Sequence, residues 1–213
     1  MDFADFGPES SRNDSENNSD SLAAGESVRY HLTPEEREHV RDIACARHQS
    51  YSDGRTRDES WGGSDDSFGA MCRGVAGELV LAALFSSASF DSEIYESGDE
   101  GLDTELELDG ELRTVDIKTS TYDGPGQSLM VATHHVDERS VTPDVYLRAH
   151  IDDSLRAVTL QGWITSDELL REEMIEPSPA GDWKNYDAGV DDLNTLPEPD
   201  SLDEHDGAEI VRN

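Results

Sequence analysis

The dipeptide Asp109-Gly110 separates two segments, 102–108 and 111–118, in which apolar residues alternate with polar ones. An Asp-Gly pair in this setting is among the strongest short-range signals for a β-hairpin with a two-residue turn. Such a turn makes Leu108 face Glu111, and this first pair fixes every later pair along the two strands. The turn therefore determines which side chains of the hairpin can meet.

The predicted register brings charged residues together on one face of the hairpin. Asp103 lies directly opposite Asp116, and directly opposed residues have Cβ atoms about 4.5–5.5 Å apart on the same face. Lys118 follows Asp116 by two residues and shares that face, and Gly101 opposite it leaves room for a phosphate or a metal. The other face is apolar and predicts the core side of the hairpin: Leu102, Leu106, Leu108, Val115 and Ile117.

Two neighbouring carboxylates and an amine are the components of a divalent-metal phosphodiesterase site. The carboxylates of Asp103 and Asp116 repel each other unless one is protonated or a cation lies between them. Mg²⁺ prefers oxygen ligands and usually binds one or two carboxylates together with substrate phosphate. The metal would polarise a phosphoryl oxygen and lower the pKa of a bound water. Lys118 would position or deprotonate that water, or neutralise charge developing on phosphorus.

The Asp-x-Lys spacing also has an ordinary explanation. In so acidic a chain an acid two residues before a lysine arises by chance with a probability of ~0.4. The segment Asp182-Trp183-Lys184 repeats the spacing in a Pro- and Gly-containing region that predicts a loop. Asp116 and Lys118 alone would indicate an ion pair on a solvated strand, but the opposed Asp103 and the apolar second face favour a site. Only two of the 16 basic residues are lysines, which also sets Lys118 apart.

The charge of the chain limits how it can bind nucleic acid. It holds 49 acidic and 16 basic residues, for a net charge of −33. This balance predicts a protein of a high-salt cytoplasm, where a Debye length of about 3 Å at 1 M salt relieves self-repulsion. A protein with this net charge does not attract DNA through its overall charge. Binding of DNA would therefore need individual arginines and the bound metal. The rival explanation of the charge is an acidic protein that mimics nucleic acid and occupies a partner's DNA groove.

Composition and periodicity divide the chain into three parts. Residues 1–28 predict a disordered acidic segment, residues 29–175 one domain, and residues 176–213 a Pro-, Gly- and acid-rich segment with one added strand near 186–190. The helices and strands of the domain are expected in this order: helices over about 33–49 and 67–86, strands over 89–96, 102–108, 111–118, 128–133, 143–151 and 155–163, and a short helix near 165–173. This order predicts a single α/β domain.

The same sequence argues against export and against a membrane partner. The N-terminus lacks the basic region and apolar stretch of a signal peptide. The longest apolar run, Leu79 to Phe85, is too short to span a bilayer. We therefore expect a cytoplasmic protein.

Five short motifs resemble the PD-(D/E)xK nuclease superfamily over roughly residues 67–164. Gly74-Val75-Ala76-Gly77-Glu78 is similar to the glycine-glutamate helix that precedes the sheet in that family. Gly101-Leu102-Asp103 stands where its first aspartate falls, and Asp116-Ile117-Lys118 matches the acid-x-lysine at the end of the next strand. Asp144-Val145-Tyr146-Leu147 and Gly162-Trp163-Ile164 are similar to later strands of phage-type members.

The resemblance implies a restriction-endonuclease-like core, a mixed central β-sheet flanked by helices, in a member of the type found in halophilic archaea or their viruses. It implies Mg²⁺-dependent hydrolysis of DNA, with Mn²⁺ as a possible substitute. The metal would be held by Asp103, Asp116, Glu78 and Ile117, and the catalytic residues would be Asp103, Asp116, Lys118 and Glu78. No proline precedes Asp103, which is also true of many members, and no basic DNA-binding module is found. A catalytically silent assembly protein of the same fold stays an alternative, and a homodimer stays open.

The sequence gives less support for a functional role of several other residues. Glu78 is equally well explained as an acid on a helix surface. Arg73 is a candidate for contact with nucleic acid, since guanidinium groups suit phosphate. His134 and His135 are expected in a loop, and Trp163 in the core.

Overall fold

The computed structural model describes residues 21–50, 67–90, 102–121, 128–152, 154–178, 182–200, 202, 205 and 207–212. The helices within these residues are α1 (Pro34–Ser50), α2 (Ser67–Leu84), α3 (Thr133–Glu138) and α4 (Ser166–Leu169). The strands are β1 (Glu26–His31), β2 (Thr104–Leu108), β3 (Glu111–Ser120), β4 (Ser128–Ala132), β5 (Val145–Ile151), β6 (Ala157–Thr165), β7 (Ile175–Pro177), β8 (Lys184–Gly189) and β9 (Ala208–Arg212).

A six-stranded mixed sheet in the order β2-β3-β5-β6-β1-β9 forms the centre of the fold. β3 and β5 are parallel, and the other neighbouring pairs of this sheet are antiparallel. A parallel pair requires a crossover connection, which here contains β4 and α3. β4 pairs with β8, and β8 with β7, in a second, antiparallel sheet of three strands.

The central strand β5 is buried on both faces, and each face belongs to a different apolar cluster. One set of alternating residues, with Val145 and Leu147 among them, packs in the larger cluster with α1 and α2. Tyr146 points the other way and packs in a smaller cluster with residues of the second sheet and α4: Leu129, Val131, Ile164, Leu169 and Ala188. The protein is therefore a mixed α/β sheet flanked by helices, as expected.

Local sequence features explain where α1 begins and how closely α2 packs on the sheet. At the start of α1 the Thr33 hydroxyl accepts the N–H of Glu36 at 3.2 Å, and the Glu36 carboxylate accepts the N–H of Thr33 at 2.7 Å, which is a capping box. On α2, a Cβ added at Gly77 would lie 2.7 Å from Oγ1 of Thr119 and 3.2 Å from Cγ2 of Ile117. The absence of a side chain at Gly77 therefore permits α2 to pack closely on β3.

The predicted hairpin is confirmed in position, and its predicted register is confirmed between Leu108 and Thr104. Asp109 (φ 53°) and Gly110 (φ 77°) both have left-handed backbone, as a type I′ turn requires. The pairing runs from Leu108 with Glu111 to Thr104 with Val115. The apolar face is also confirmed, since four of its members belong to the larger core: Leu106, Leu108, Val115 and Ile117.

The expected disorder through residue 28 is wrong for residues 21–28. β1 begins at Glu26 and lies inside the sheet, paired with β6 on one side and β9 on the other. Ser27 and Val28 are fully buried. The few apolar residues of this segment gave little periodicity, so its pairing depends on partners far along the chain. Residues 1–20 lie outside the described part.

The C-terminal segment holds more structure than expected. The strand predicted near residues 186–190 is present as β8, and Lys184 begins that strand instead of lying in a loop. β9, at the edge of the main sheet, was not predicted. His134 and His135 lie in α3 and not in a loop. Residues 89 and 90 form no strand, and 91–96 of the strand expected there lie outside the described part.

None of the helices in the described ranges has the length and apolar character needed to cross a bilayer.

Candidate functional site

Asp116 lies near the middle of the candidate site, on β3, and its carboxylate has two cationic partners. The side chain is almost fully buried. Its Oδ1 is 2.7 Å from Nζ of Lys118, two residues further along the strand. Its Oδ2 accepts a hydrogen bond from Nη1 of Arg139, the residue after α3. Both oxygens of this buried carboxylate are therefore paired with positive charge.

Asp103 lies one residue before β2, where the regular pairing of the hairpin stops. Its backbone N–H donates to the carbonyl of Val115 at 2.9 Å. Its Oδ2 accepts the backbone N–H of Ile117 at 2.6 Å. The predicted pair of Asp103 with Asp116 is thus not part of the observed ladder, which ends at Thr104. The carboxylate of Asp103 instead binds the backbone of β3 beside Asp116.

The electrostatics of Asp103 show that the predicted site residues act on one another. Burial raises the pKa of Asp103 well above its usual range, and the nearby carboxylates of Asp116 and Glu78 raise it further. Lys118 and the N–H of Ile117 oppose the shift. The charges of Asp116, Glu78 and Lys118 therefore all act on Asp103.

Glu78 lies on α2 and has a close partner of its own. Its two carboxylate oxygens accept hydrogen bonds of 2.9 Å each from Nη1 and Nη2 of Arg47, in the last turn of α1. The geometry is the bidentate arrangement that makes guanidinium–carboxylate pairs strong and directional. Glu78 is therefore a buried, paired acid, in contrast to an ordinary acid on a helix surface.

The sheet separates Glu78 from Asp116. Ile117 faces α2, because a Cβ at Gly77 would contact its Cγ2. Successive residues of a strand point to opposite faces, so Asp116 and Lys118 point away from the helix that carries Glu78. Consistent with this separation, the described residues contain no group of three His, Cys, Asp or Glu side chains placed to hold one metal ion.

The donor atoms nevertheless suit a hard divalent cation. Carboxylates and a main-chain oxygen, such as Ile117 can offer, are the ligand types that Mg²⁺ prefers. Burial, and after it the neighbouring carboxylates, raise the pKa of Asp103 and so disfavour its ionised form, and a bound cation would favour that form. Asp103 and Asp116 could hold such a cation if Asp116 released Arg139 or Lys118. Glu78 would have to release Arg47 to do the same.

Two arginines of this site were not predicted from the sequence. Arg47 has the position of a basic residue at a helix C-terminus, which is explained by the helix dipole alone. Arg139 follows α3 in a segment with no motif. Burial lowers the pKa of Arg139, but Asp116 reverses this effect and the net shift is upward. Only the chain's folding reveals that these two cations pair with Glu78 and Asp116.

Comparison with models of known families, with curated proteins and with solved structures gives no match to this chain.

Proposed function

We propose that the protein is a Mg²⁺-dependent phosphodiesterase that hydrolyses the backbone of DNA. The observation that carries the proposal is the buried carboxylate of Asp116 with the amine of Lys118 2.7 Å away, beside Asp103, whose carboxylate accepts the N–H of Ile117. Acids and lysine in such an arrangement resemble the PD-(D/E)xK nucleases, and the proposed fold is the restriction-endonuclease-like one. A helix with Glu78, a hairpin with both aspartates and a following parallel strand support this assignment.

The residues of the site would divide the work as follows. Asp103 and Asp116 would hold the metal, which supplies charge compensation on the phosphate and an activated water. Asp116 also fixes Lys118, since their contact holds the amine on the same face of β3. The side chain of Lys118 is mostly buried, with about one-fifth of its surface exposed. Its amine can donate a hydrogen bond to a phosphate oxygen and stabilise negative charge there. Arg139 adds a second cation at the other oxygen of Asp116.

A second candidate is a catalytically silent protein of the same fold. The observation that favours it is the complete pairing of two acids: Glu78 with Arg47, and Asp116 with Lys118 and Arg139. Arginines in these places neutralise the carboxylates without a metal. In this case the site would be a structural charge network, and Mg²⁺ or Mn²⁺ would not bind.

The experiment uses the two lysines of the chain as a matched pair. Cleavage of linear, nicked, branched and single-stranded DNA, and of RNA, would be screened with Mg²⁺ and Mn²⁺ in molar KCl. Lys184 has the same Asp-x-Lys spacing as Lys118 but is exposed at the start of β8. Lys118→Ala and Asp116→Asn should abolish metal-dependent cleavage, whereas Lys184→Ala should cleave like the unmodified protein.

Equal activity in Lys118→Ala and Lys184→Ala would refute the proposal. Absence of cleavage by the unmodified protein, together with calorimetry that detects no Mg²⁺ or Mn²⁺ binding, would favour the silent protein. Circular dichroism and thermal unfolding of each variant in the same salt would verify that loss of activity is not loss of fold.

A further inference from the structure

A cavity of about 340 Å³ lies directly beside Lys118. Its wall is formed by the first half of α2, the C-terminal end of β3, the beginning of β4 and Arg148 of β5. Lys118 belongs both to this wall and to the contact with Asp116. A ligand in the cavity would therefore lie against Lys118, the residue that carries the proposed catalytic amine.

The described residues of the wall are rich in bases, whereas the chain as a whole is acidic. Three basic residues line the cavity, Arg73, Lys118 and Arg148, and none of the described residues that line it is an Asp or Glu. The chain as a whole holds 49 acids and 16 bases in 213 residues. Twelve residues taken at random from this chain would include about three acids and one base. A cluster of bases in a cavity produces a local positive potential that attracts anions.

Arg148 is the most unusual member of the wall, because its side chain is only 1% exposed. Burying a guanidinium is costly unless an anion or several hydrogen bonds compensate. Asp187 of β8 acts on it electrostatically, but Asp187 does not line the cavity. The cavity wall therefore includes a buried arginine, and the planar guanidinium group suits recognition of phosphate.

Hydroxyl groups complete the polar part of the wall. The cavity is also lined by Thr119, Ser120, Thr121 and Ser128. The Thr119 hydroxyl oxygen is buried and has no hydrogen-bond partner among the described residues. Apolar side chains of Leu129 and Met130 form the remainder of the surface on β4. Cations and hydroxyls beside an apolar surface suit a ligand with a phosphate at one end and a ring at the other.

We infer that this cavity binds the terminal nucleotide of a nucleic-acid strand, with its phosphate monoester held by Arg73, Arg148 and Lys118. The inference rests on the proposed function and deepens it, because it makes a strand end the substrate. The cavity is at the small end of the roughly 300–1,000 Å³ range of ligand sites, which suits one nucleotide and not a run of them. A monoester carries about −1.5 to −2 charges at pH 7, so three cations favour it over a backbone diester with one.

The test measures binding without catalysis. The full chain in KCl with EDTA would be titrated calorimetrically with deoxyadenosine 5′-monophosphate, deoxyadenosine and inorganic phosphate. We expect the monophosphate to bind, deoxyadenosine not to bind, and inorganic phosphate to bind more weakly than the monophosphate. Arg73→Gln and Arg148→Met should each weaken binding of the monophosphate by about tenfold or more. Arg156→Gln, an exposed arginine outside the cavity, should leave it unchanged.

The outcomes separate this inference from the proposed function. Cleavage of DNA without binding of the monophosphate would overturn the inference alone. Binding that Arg73→Gln weakens, in a protein that cleaves nothing, would support the nucleotide site and leave the hydrolytic proposal refuted. Unchanged affinity in Arg73→Gln, or equal affinity for phosphate and the monophosphate, would overturn the inference. Because Arg73 is only partly buried, this variant decides the matter even where Arg148→Met does not fold.

Discussion

The guanidinium of Arg47 and the carboxylate of Glu78 join α1 to α2 through two parallel hydrogen bonds of 2.9 Å. Their side chains are 17% and 10% exposed, so little water competes for the pair. In a chain of net charge −33, a buried acid without a cation would add to a large self-repulsion. The pair therefore lets α2 present Glu78 close to the sheet.

Removal of Arg47 should destabilise the protein by leaving Glu78 buried without this guanidinium. Arg47→Ala is expected to lower the free energy of unfolding by about 3 kcal/mol. Arg41→Ala is the matched control, since Arg41 is exposed on the same helix, and surface changes of this kind stay within about 0.5 kcal/mol. Urea unfolding in molar KCl measures both. Similar losses in the two variants would mean that the pair does not stabilise the contact of α1 with α2.

The packing of α2 on β3 should depend on one glycine and not on its neighbour. Gly77→Ala places a methyl group 2.7 Å from Oγ1 of Thr119, whereas Gly74→Ala meets nothing within 4 Å. Alanine is favoured over glycine in a helix by about 1 kcal/mol, while overpacking typically costs about 1–3 kcal/mol. Gly74→Ala should therefore be neutral or more stable than the unmodified protein, and Gly77→Ala less stable than Gly74→Ala by about 1–3 kcal/mol. Thermal and urea unfolding of the two variants would check this order, and the reverse order would contradict the close approach.

Local signals made much of this geometry predictable. The Asp109-Gly110 turn has one favoured conformation, so the register of the hairpin followed from the sequence. Helical periodicity placed α2 and therefore Glu78. These features depend on residues near one another in the chain, where propensity and alternation have their effect.

The remainder depends on contacts between distant segments. β1 and β9 pair across more than 170 residues of sequence, Glu26 with Arg212, and neither strand has a strong local pattern. Asp103 was placed opposite Asp116 in a regular ladder, but its carboxylate accepts the N–H of Ile117 and ends the ladder early. No spacing rule distinguishes Arg47 and Arg139 from the exposed arginines, because their roles arise from packing.

Arg139 should compete with a divalent cation for Asp116, since it donates to one oxygen of that carboxylate. Arg139→Ala frees the oxygen and removes a positive charge that repels the cation. If the protein binds metal, the dissociation constant for Mn²⁺ should fall by roughly tenfold, which is about 1.4 kcal/mol. Calorimetric titration in KCl near neutral pH measures the constant, and Arg171→Ala, an exposed arginine, is the control. Equal constants in the two variants would show that Arg139 does not limit metal binding.

The raised pKa of Asp103 makes a prediction about stability and pH. Burial, together with Asp116 and Glu78, lifts its folded-state pKa above the unfolded value of about 3.9. Between these two values the folded protein holds a proton that the unfolded chain has already released. The contribution of protonated Asp103 to the free energy of unfolding is therefore complete below about pH 3.9. It is lost as the pH rises through the folded-state pKa of Asp103.

Asp103→Asn removes this ionisation but keeps an oxygen that can accept the N–H of Ile117. Compared with the unmodified protein, the variant should become relatively more stable as the pH rises from about 4 toward neutrality. Urea unfolding across that range in EDTA and molar KCl measures the difference, and Asp137→Asn, an exposed acid of α3, should follow the unmodified protein. Added Mg²⁺ should then reduce the difference in unfolding free energy between the variant and the unmodified protein near neutral pH. The reason is that a cation favours the ionised carboxylate, which only the unmodified protein has at position 103. A difference that is flat with pH would show that Asp103 ionises in the folded state as it does in the unfolded chain.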